Sequence, residues 1–192
     1  MNLLSNTVGK ALPSSHSLGK AFVCLSILFC LVSLQPEQAY ADTVSSQTHP
    51  LSAPIAEDFI QKADSGSYQA SIHSLQIETL EKPVHMDVEV VATDESRARG
   101  LMYRFDLPEN YGMLFVFPDS HQRCFWMKNT YIPLSIAYID AQGSIVSIHD
   151  MQAHDLSSVC SSAPAMFALE VKQGWFTQHQ ITVGNTIRIK QH

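Results

Sequence analysis

Three polar side chains, Lys128, Asn129 and Thr130, follow directly on Phe125-Trp126-Met127. Read physically, a buried strand ends there in groups that must reach water or be hydrogen-bonded. An ammonium and a carboxamide at the end of a core strand can serve a site, or they can form a hydrogen-bond knot that fixes a turn. Glu170 is the second unusual residue. In the alternating run Ala165 to Val171 it shares a face with Met166 and Ala168, opposite Phe167 and Leu169. If that face is interior, its carboxylate needs a partner, because an unpaired buried charge is costly. Arg99, Arg104 and Lys128 are the available cations. Arg99, Lys128, Asn129 and Glu170 together make a candidate pocket for a small anionic or hydroxylated ligand. A structural ion pair and a solvent-facing Glu170 are the competing readings, and Lys128 with Glu170 as an acid/base pair is the enzymatic one.

Other chemistries have less behind them. His149, Met151 and His154 fall in one loop, with Asp150 and Asp155 beside them, and Met and His serve copper in exported proteins. The His spacing matches no zinc pattern, and Met102, Met113 and Met127 in apolar strands read as core filler. There is no Gly-x-Ser-x-Gly and no phosphate-cradling glycine loop, so the sequence implies neither a named reaction nor a cofactor. Cys124 and Cys160 lack a telling His and are expected to form a disulfide.

The elements that position these residues are short. Ile72 to Leu80 and His85 to Ala92 alternate as two strands around Glu81-Lys82-Pro83. Thr93-Asp94-Glu95 starts a helix that ends near Gly100. Met113 to Phe117 and Cys124 to Lys128 follow as strands. Leu134 to Asp140 and Ser144 to His149 form a hairpin with Gly143 at the turn. Asp150 to Ala163 is a polar loop. After the Glu170 strand, Gly174 to Gln180 makes a short helix and Thr186 to Lys190 a last strand. The fold expected is mainly β (a β-rich α+β), a small barrel or half-barrel of short strands with one or two short helices.

Arg99-Gly100-Leu101-Met102-Tyr103-Arg104, Gly112-Met113-Leu114-Phe115-Val116-Phe117, Phe125 to Thr130 with Ile132-Pro133-Leu134, and Ala168-Leu169-Glu170 with Gly174 occur in one order. Over roughly Pro83 to Lys190 this resembles the domain-of-unknown-function 192 family. The resemblance implies a small, mainly β domain and brings no activity.

The first forty residues differ in kind. Lys10 and Lys20 precede the uncharged run Ala21 to Leu34, and Ala39-Tyr40-Ala41 supplies the small residues of a cleavage site. The expected organisation is a signal peptide at 1–41, a flexible Ser/Pro-rich linker at 42–71, in which Ile55 to Lys62 can make one or two amphipathic helical turns, and one β-rich domain at 72–192. The leader holds two of the twelve basic residues and one of the eighteen acidic ones, leaving ten against seventeen and a net charge of −7. That balance argues against nucleic-acid binding. It also argues against an anionic-membrane adhesin, and no stable membrane insertion is expected once the leader is gone. Cys24 and Cys30 leave with the leader. Cys124 and Cys160 remain, and an oxidising compartment allows them to pair. The reading is an exported, periplasmic or secreted module that binds a small ligand or an envelope protein. A leader cleaved after Ala41 predicts a mature N-terminus at Asp42. Intact-mass measurement of the exported protein checks it, and an uncleaved chain in the membrane fraction contradicts it.

Overall fold

A computed structural model describes residues 48–64 and 72–190. In chain order these form β1 (Thr48–Pro50), α1 (Ala53–Asp64), β2 (Ile72–Glu78), β3 (Val84–Val91), α2 (Asp94–Arg99), β4 (Tyr111–His121) and β5 (Cys124–Phe125). They continue with β6 (Leu134–Ile139), β7 (Ile145–Met151), β8 (Val159–Cys160), β9 (Ala165–Lys172), α3 (Trp175–Gln178) and β10 (Thr186–Lys190). Eight strands make one sheet in the order β1-β10-β2-β3-β4-β9-β6-β7, and β5 pairs with β8 in a separate ribbon. The β-rich expectation holds. The sheet is curled rather than closed: an isolated bridge between Ser144 and Thr186 brings the β6–β7 turn against β10, but no ladder joins the two edges. Half-barrel therefore describes it better than barrel.

The centre of the sheet is β4, β9 and β6. Their apolar runs are continuous because both faces are covered. On one face, Leu114, Val116, Phe167, Leu169, Val171, Ala137 and Ile139 pack with α1 and α3 through Phe59, Trp175 and Phe176. On the other, Met113, Phe115, Ala168, Ile136 and Tyr138 pack with Leu101, Leu107 and Met127. Alternate residues of one strand thus feed two cores, as the two-residue period requires.

Every named strand pair is antiparallel except β3 with β4. Parallel neighbours need a crossover, and α2 with the turns after it supplies one. Its start is written in the sequence. The Thr93 hydroxyl accepts from the Ser96 N–H and the Ser96 hydroxyl accepts from the Thr93 N–H, both at 3.1 Å. Asp94 and Glu95 occupy the first turn, and Arg97 and Arg99 the last, where the helix dipole favours each sign. Gly100 ends the helix at φ +46°, and a Cβ there would lie 3.2 Å from the Phe115 ring.

Two sequence expectations change. The stretch expected as linker carries β1 and α1 between 48 and 64. Leu51 is buried and donates its N–H to the Ile187 carbonyl at 2.9 Å, and Ala56, Phe59 and Ala63 bury one helical stripe. Two of those three are alanines, so the stripe is faint among the Ser and Pro around it. The expected strand Cys124 to Lys128 stops at Phe125, because Met127 to Thr130 turns: the Thr130 N–H reaches the Met127 carbonyl at 3.2 Å. The leader at 1–41 lies outside the described residues. No described helix is long and apolar enough to cross a membrane.

The expected disulfide is present. Cys124 and Cys160 face each other across β5 and β8 with Cα atoms 4.0 Å apart and a sequence separation of 36. A closed loop of that length constrains the unfolded chain by roughly 3–4 kcal/mol in the chain-entropy picture. Replacing both cysteines with serine is predicted to lower unfolding free energy by about that amount in denaturant melts. Thiol titration of the unreduced, denatured mature protein should find neither Cys124 nor Cys160 reactive.

Candidate functional site

Glu170 sits in the middle of β9, the strand with neighbours on both edges and cores on both faces. It stands opposite Met113 on β4 and Ile136 on β6. It is 4% exposed, and it is the one carboxylate among the buried described residues. Within the described residues it makes no ion pair and no side-chain hydrogen bond. Burial pushes its pKa up to about 8, so the group is a carboxylic acid at neutral pH, holding an unused donor and an unused acceptor.

Glu170 lines a cavity of about 310 Å³ on the second-core face. Phe115, Phe117, Phe125 and Trp126 supply aromatic walls, and the segment from Arg97 to Met102 overhangs it. The Phe125 ring meets Phe115 edge-on at 4.8 Å, and Phe117 likewise at 6.3 Å. Trp126 is half exposed at 51%. Beside the floor, burial first and the charge of Glu170 second raise the pKa of Tyr138 well above the ordinary phenol range. Its hydroxyl donates to the Val159 carbonyl at 2.5 Å and so ties the β5–β8 ribbon to the sheet.

The two arginines of α2 have different situations. The Arg97 guanidinium donates to the carbonyls of Ala92 and Val116 and to Asp94 at 2.5 Å, and lies 5.2 Å from the centre of the Phe117 ring. Arg123 covers the same ring at 4.1 Å, so two cations flank Phe117. Arg97 is therefore spent on structure. Arg99 is exposed, lines the cavity and has no ion-pair partner among the described residues. It also borders a second cavity of about 610 Å³, where Arg104 pairs with Glu89.

Of the four residues nominated from the sequence, Arg99 and Glu170 line one cavity, and Lys128 and Asn129 are not among its lining residues. The Lys128 ammonium lies 5.2 Å over the Trp126 ring. Asn129 adopts φ +55°, donates from Nδ2 to the Tyr103 hydroxyl at 2.9 Å and accepts the Tyr103 N–H at 2.8 Å. That is the hydrogen-bond knot, and Asp155 and His154 extend it by bonding Met127 and Thr130. Among the described residues Glu170 has no ion pair with Arg99, Arg104 or Lys128, so the buried ion pair weighed as an alternative is not formed there. Lys128, the acid/base partner weighed for Glu170, lies over Trp126 and is not among the residues lining the Glu170 cavity. Arg97 and the aromatic walls were missed. Their signal was the capping box of α2, which sets the last-turn arginines above β4.

Of the weaker metal set, His149 lies in β7 with its ring 6.0 Å from that of Tyr138. Met151 is buried in the second core, and His154 packs edge-on to Tyr131 at 4.8 Å. Among the described residues no group of three or more His, Cys, Asp or Glu is placed to hold a metal ion.

Comparison with known proteins agrees with the motif resemblance. Residues 75–189 match the family DUF192, described as "Uncharacterized ACR", and the chain belongs to that family. Two solved structures share the fold. One is a candidate transcription regulator of Sinorhizobium meliloti 1021, 28% identical, with a TM-score of 0.61 over 62% of this chain and 95% of that one. The other is a protein of unknown function from Novosphingobium aromaticivorans DSM 12444, 25% identical, with a TM-score of 0.59 over 60% of this chain and 84% of that one. No curated protein matches the chain.

The unpaired acid sets a pH dependence. The folded state keeps the Glu170 proton up to about pH 8, while the unfolded chain releases it near the ordinary glutamate value. The native state therefore binds more protons between those limits, and stability falls as pH rises through that window. Glu170→Gln is predicted to flatten this slope. It should match the wild type at pH 4 and exceed it at pH 8.5 by a few kcal/mol, on the order of 1.4 kcal/mol per unit of pKa difference. Urea melts across that range decide it: equal slopes for the two proteins contradict the assignment.

Proposed function

We propose that this DUF192-family protein is an exported small-ligand-binding module whose ligand lies in the cavity over Glu170. The observation that carries the reading is a carboxyl only 4% exposed, with no ion pair or side-chain hydrogen bond among the described residues, facing a cavity with aromatic walls. A buried polar group left unsatisfied costs on the order of 1–3 kcal/mol, and a ligand that meets it recovers that cost. Small-molecule sites are concave and set a small number of placed polar groups among aromatic walls, and this cavity pairs its rings with Arg99, Thr130 and Glu170.

Export is part of the proposal. Support for it comes from Lys10, Lys20, the uncharged run and Ala39-Tyr40-Ala41, and from a Cys124–Cys160 bond of the kind that persists in oxidising compartments. The cell envelope is then the place of action. The regulatory role named for the Sinorhizobium protein is not carried over, since a net charge of −6 offers little to a phosphate backbone.

A second reading, an interface for an envelope protein, has its own observation. Tyr103, Phe105 and Tyr131 are exposed, and Phe105 stacks on Tyr131 with centroids 4.7 Å apart. Exposed aromatics of this kind are enriched at protein interfaces.

A thermal-shift screen of the purified protein against envelope sugars, organic acids and metals tests the first reading. A ligand that raises the melting temperature should bind at least tenfold more weakly to Trp126→Ala, which removes an exposed wall, and unchanged to Phe105→Ala. Loss in Phe105→Ala alone moves the site to the aromatic surface patch. A ligand indifferent to both substitutions contradicts the cavity reading.

A further inference from the structure

The cavity is small, electrically asymmetric and differently furnished at its two ends. Its floor is the Glu170 acid, its walls are rings, and its rim carries the one arginine of α2 that structure has not consumed. Arg97 is compensated by Asp94; Arg99 is not compensated. With Glu170 protonated, the charged groups lining the cavity are Asp94, Arg97 and Arg99, and they sum to a single positive charge at the rim. A volume of about 310 Å³ lies at the low end for ligand pockets, which suits a molecule of metabolite size.

We infer that the ligand is a small hydroxycarboxylate, a monoanion whose carboxylate is held by Arg99 and whose hydroxyl meets Glu170, with its carbon skeleton against the aromatic walls. This rests on the ligand-binding reading above and names the ligand class for the same site. The guanidinium fork matches a carboxylate in geometry and charge. A hydroxyl both donates and accepts, as a protonated carboxyl does, so one hydroxyl answers both unused functions of Glu170. Phe115, Phe125 and Trp126 contact carbon without competing for either polar end. A cationic ligand would need Glu170 ionised among apolar neighbours, with an uncompensated arginine close by. A dianion would exceed the single positive charge available.

The two cases give opposite pH dependence. Tyr138 acts on Glu170 from β6, β4 presents Met113 opposite it, and the other charged groups lining the cavity are Asp94, Arg97 and Arg99 of α2, beside Phe115, Phe125, Trp126 and Cys124. Glu170 holds its proton up to about pH 8. A hydroxycarboxylate that needs the protonated acid is released as pH rises past that value, by up to tenfold per unit. An amine that needs the carboxylate is held more tightly over the same range.

The test uses the purified protein with three matched panels, read by ligand-observed NMR and calorimetry. They are lactate, glycerate and mandelate; their primary amides; and the corresponding amino alcohols. The expected result is binding within the acid panel, at least tenfold weaker in Arg99→Gln and for the amides. Glu170→Gln, whose amide also donates and accepts, should keep binding within about threefold at pH 6 and lose the pH dependence. Propionate and phenylacetate, which lack the hydroxyl, should bind at least tenfold more weakly. If they bind as well as the hydroxy acids, the Glu170 contact is wrong. Preference for the amino alcohols, tightening with pH, overturns the ligand class while leaving the site in place. Binding by none of the panels also overturns the class. The site itself falls only if the broader thermal-shift screen finds no ligand sensitive to Trp126→Ala.

Discussion

A carboxyl group in the most enclosed strand of the sheet is the constraint around which this domain is arranged. β9 is hydrogen-bonded to β4 on one edge and β6 on the other, and both its faces are covered. Every other inward position of β9 is apolar or small. Glu170 is 4% exposed, and no cation forms an ion pair with it among the described residues. The cost is met by protonation, as expected when charge burial exceeds any Coulombic return. A core that needed only to be stable would be served better by an apolar residue at that position. The structure instead leaves open space in front of the carboxyl.

That space exists because of how β3 reaches β4. A parallel pair cannot be closed by a tight hairpin, so the chain must leave the sheet and return, and α2 with Gly100 to Asn110 is the result. Close approach is enforced at two glycines. Gly100 lies against the Phe115 ring, and a Cβ on Gly112 would come within 2.6 Å of the Glu170 carbonyl oxygen. The crossover therefore lies down tightly at Gly100 while Arg97 and Arg99, one turn or less before it, overhang the cavity. The other wall is the β5–β8 ribbon, which has almost no ladder of its own. It is held by the disulfide, by Tyr138 bonded to the Val159 carbonyl, and by the Ser161 N–H on the Arg123 carbonyl at 2.8 Å. Phe125 and Trp126 are aimed by covalent and polar anchors, since two residues of strand are too few to position them.

The sequence by itself determined the local units. Period-two alternation marked the strands, Gly143 at φ +84° marked the hairpin, Thr93, Asp94 and Glu95 marked the start of α2, and the two cysteines of the domain allowed one intramolecular pairing. It also singled out Glu170, because an acid flanked by Leu169 and Val171 conflicts with its surroundings wherever the strand goes. Tertiary structure decided what that acid meets. Lys128 and Arg104, as plausible as Arg99 from spacing alone, turn to Trp126 and Glu89. Asn129 closes a turn with Tyr103, twenty-six residues away. The packing of β1 and α1, and the open curl of the sheet, were equally illegible. The reason is common to all of these: period and capping depend on neighbours a few residues apart, whereas the environment of a charge depends on segments brought together by a crossover and a disulfide.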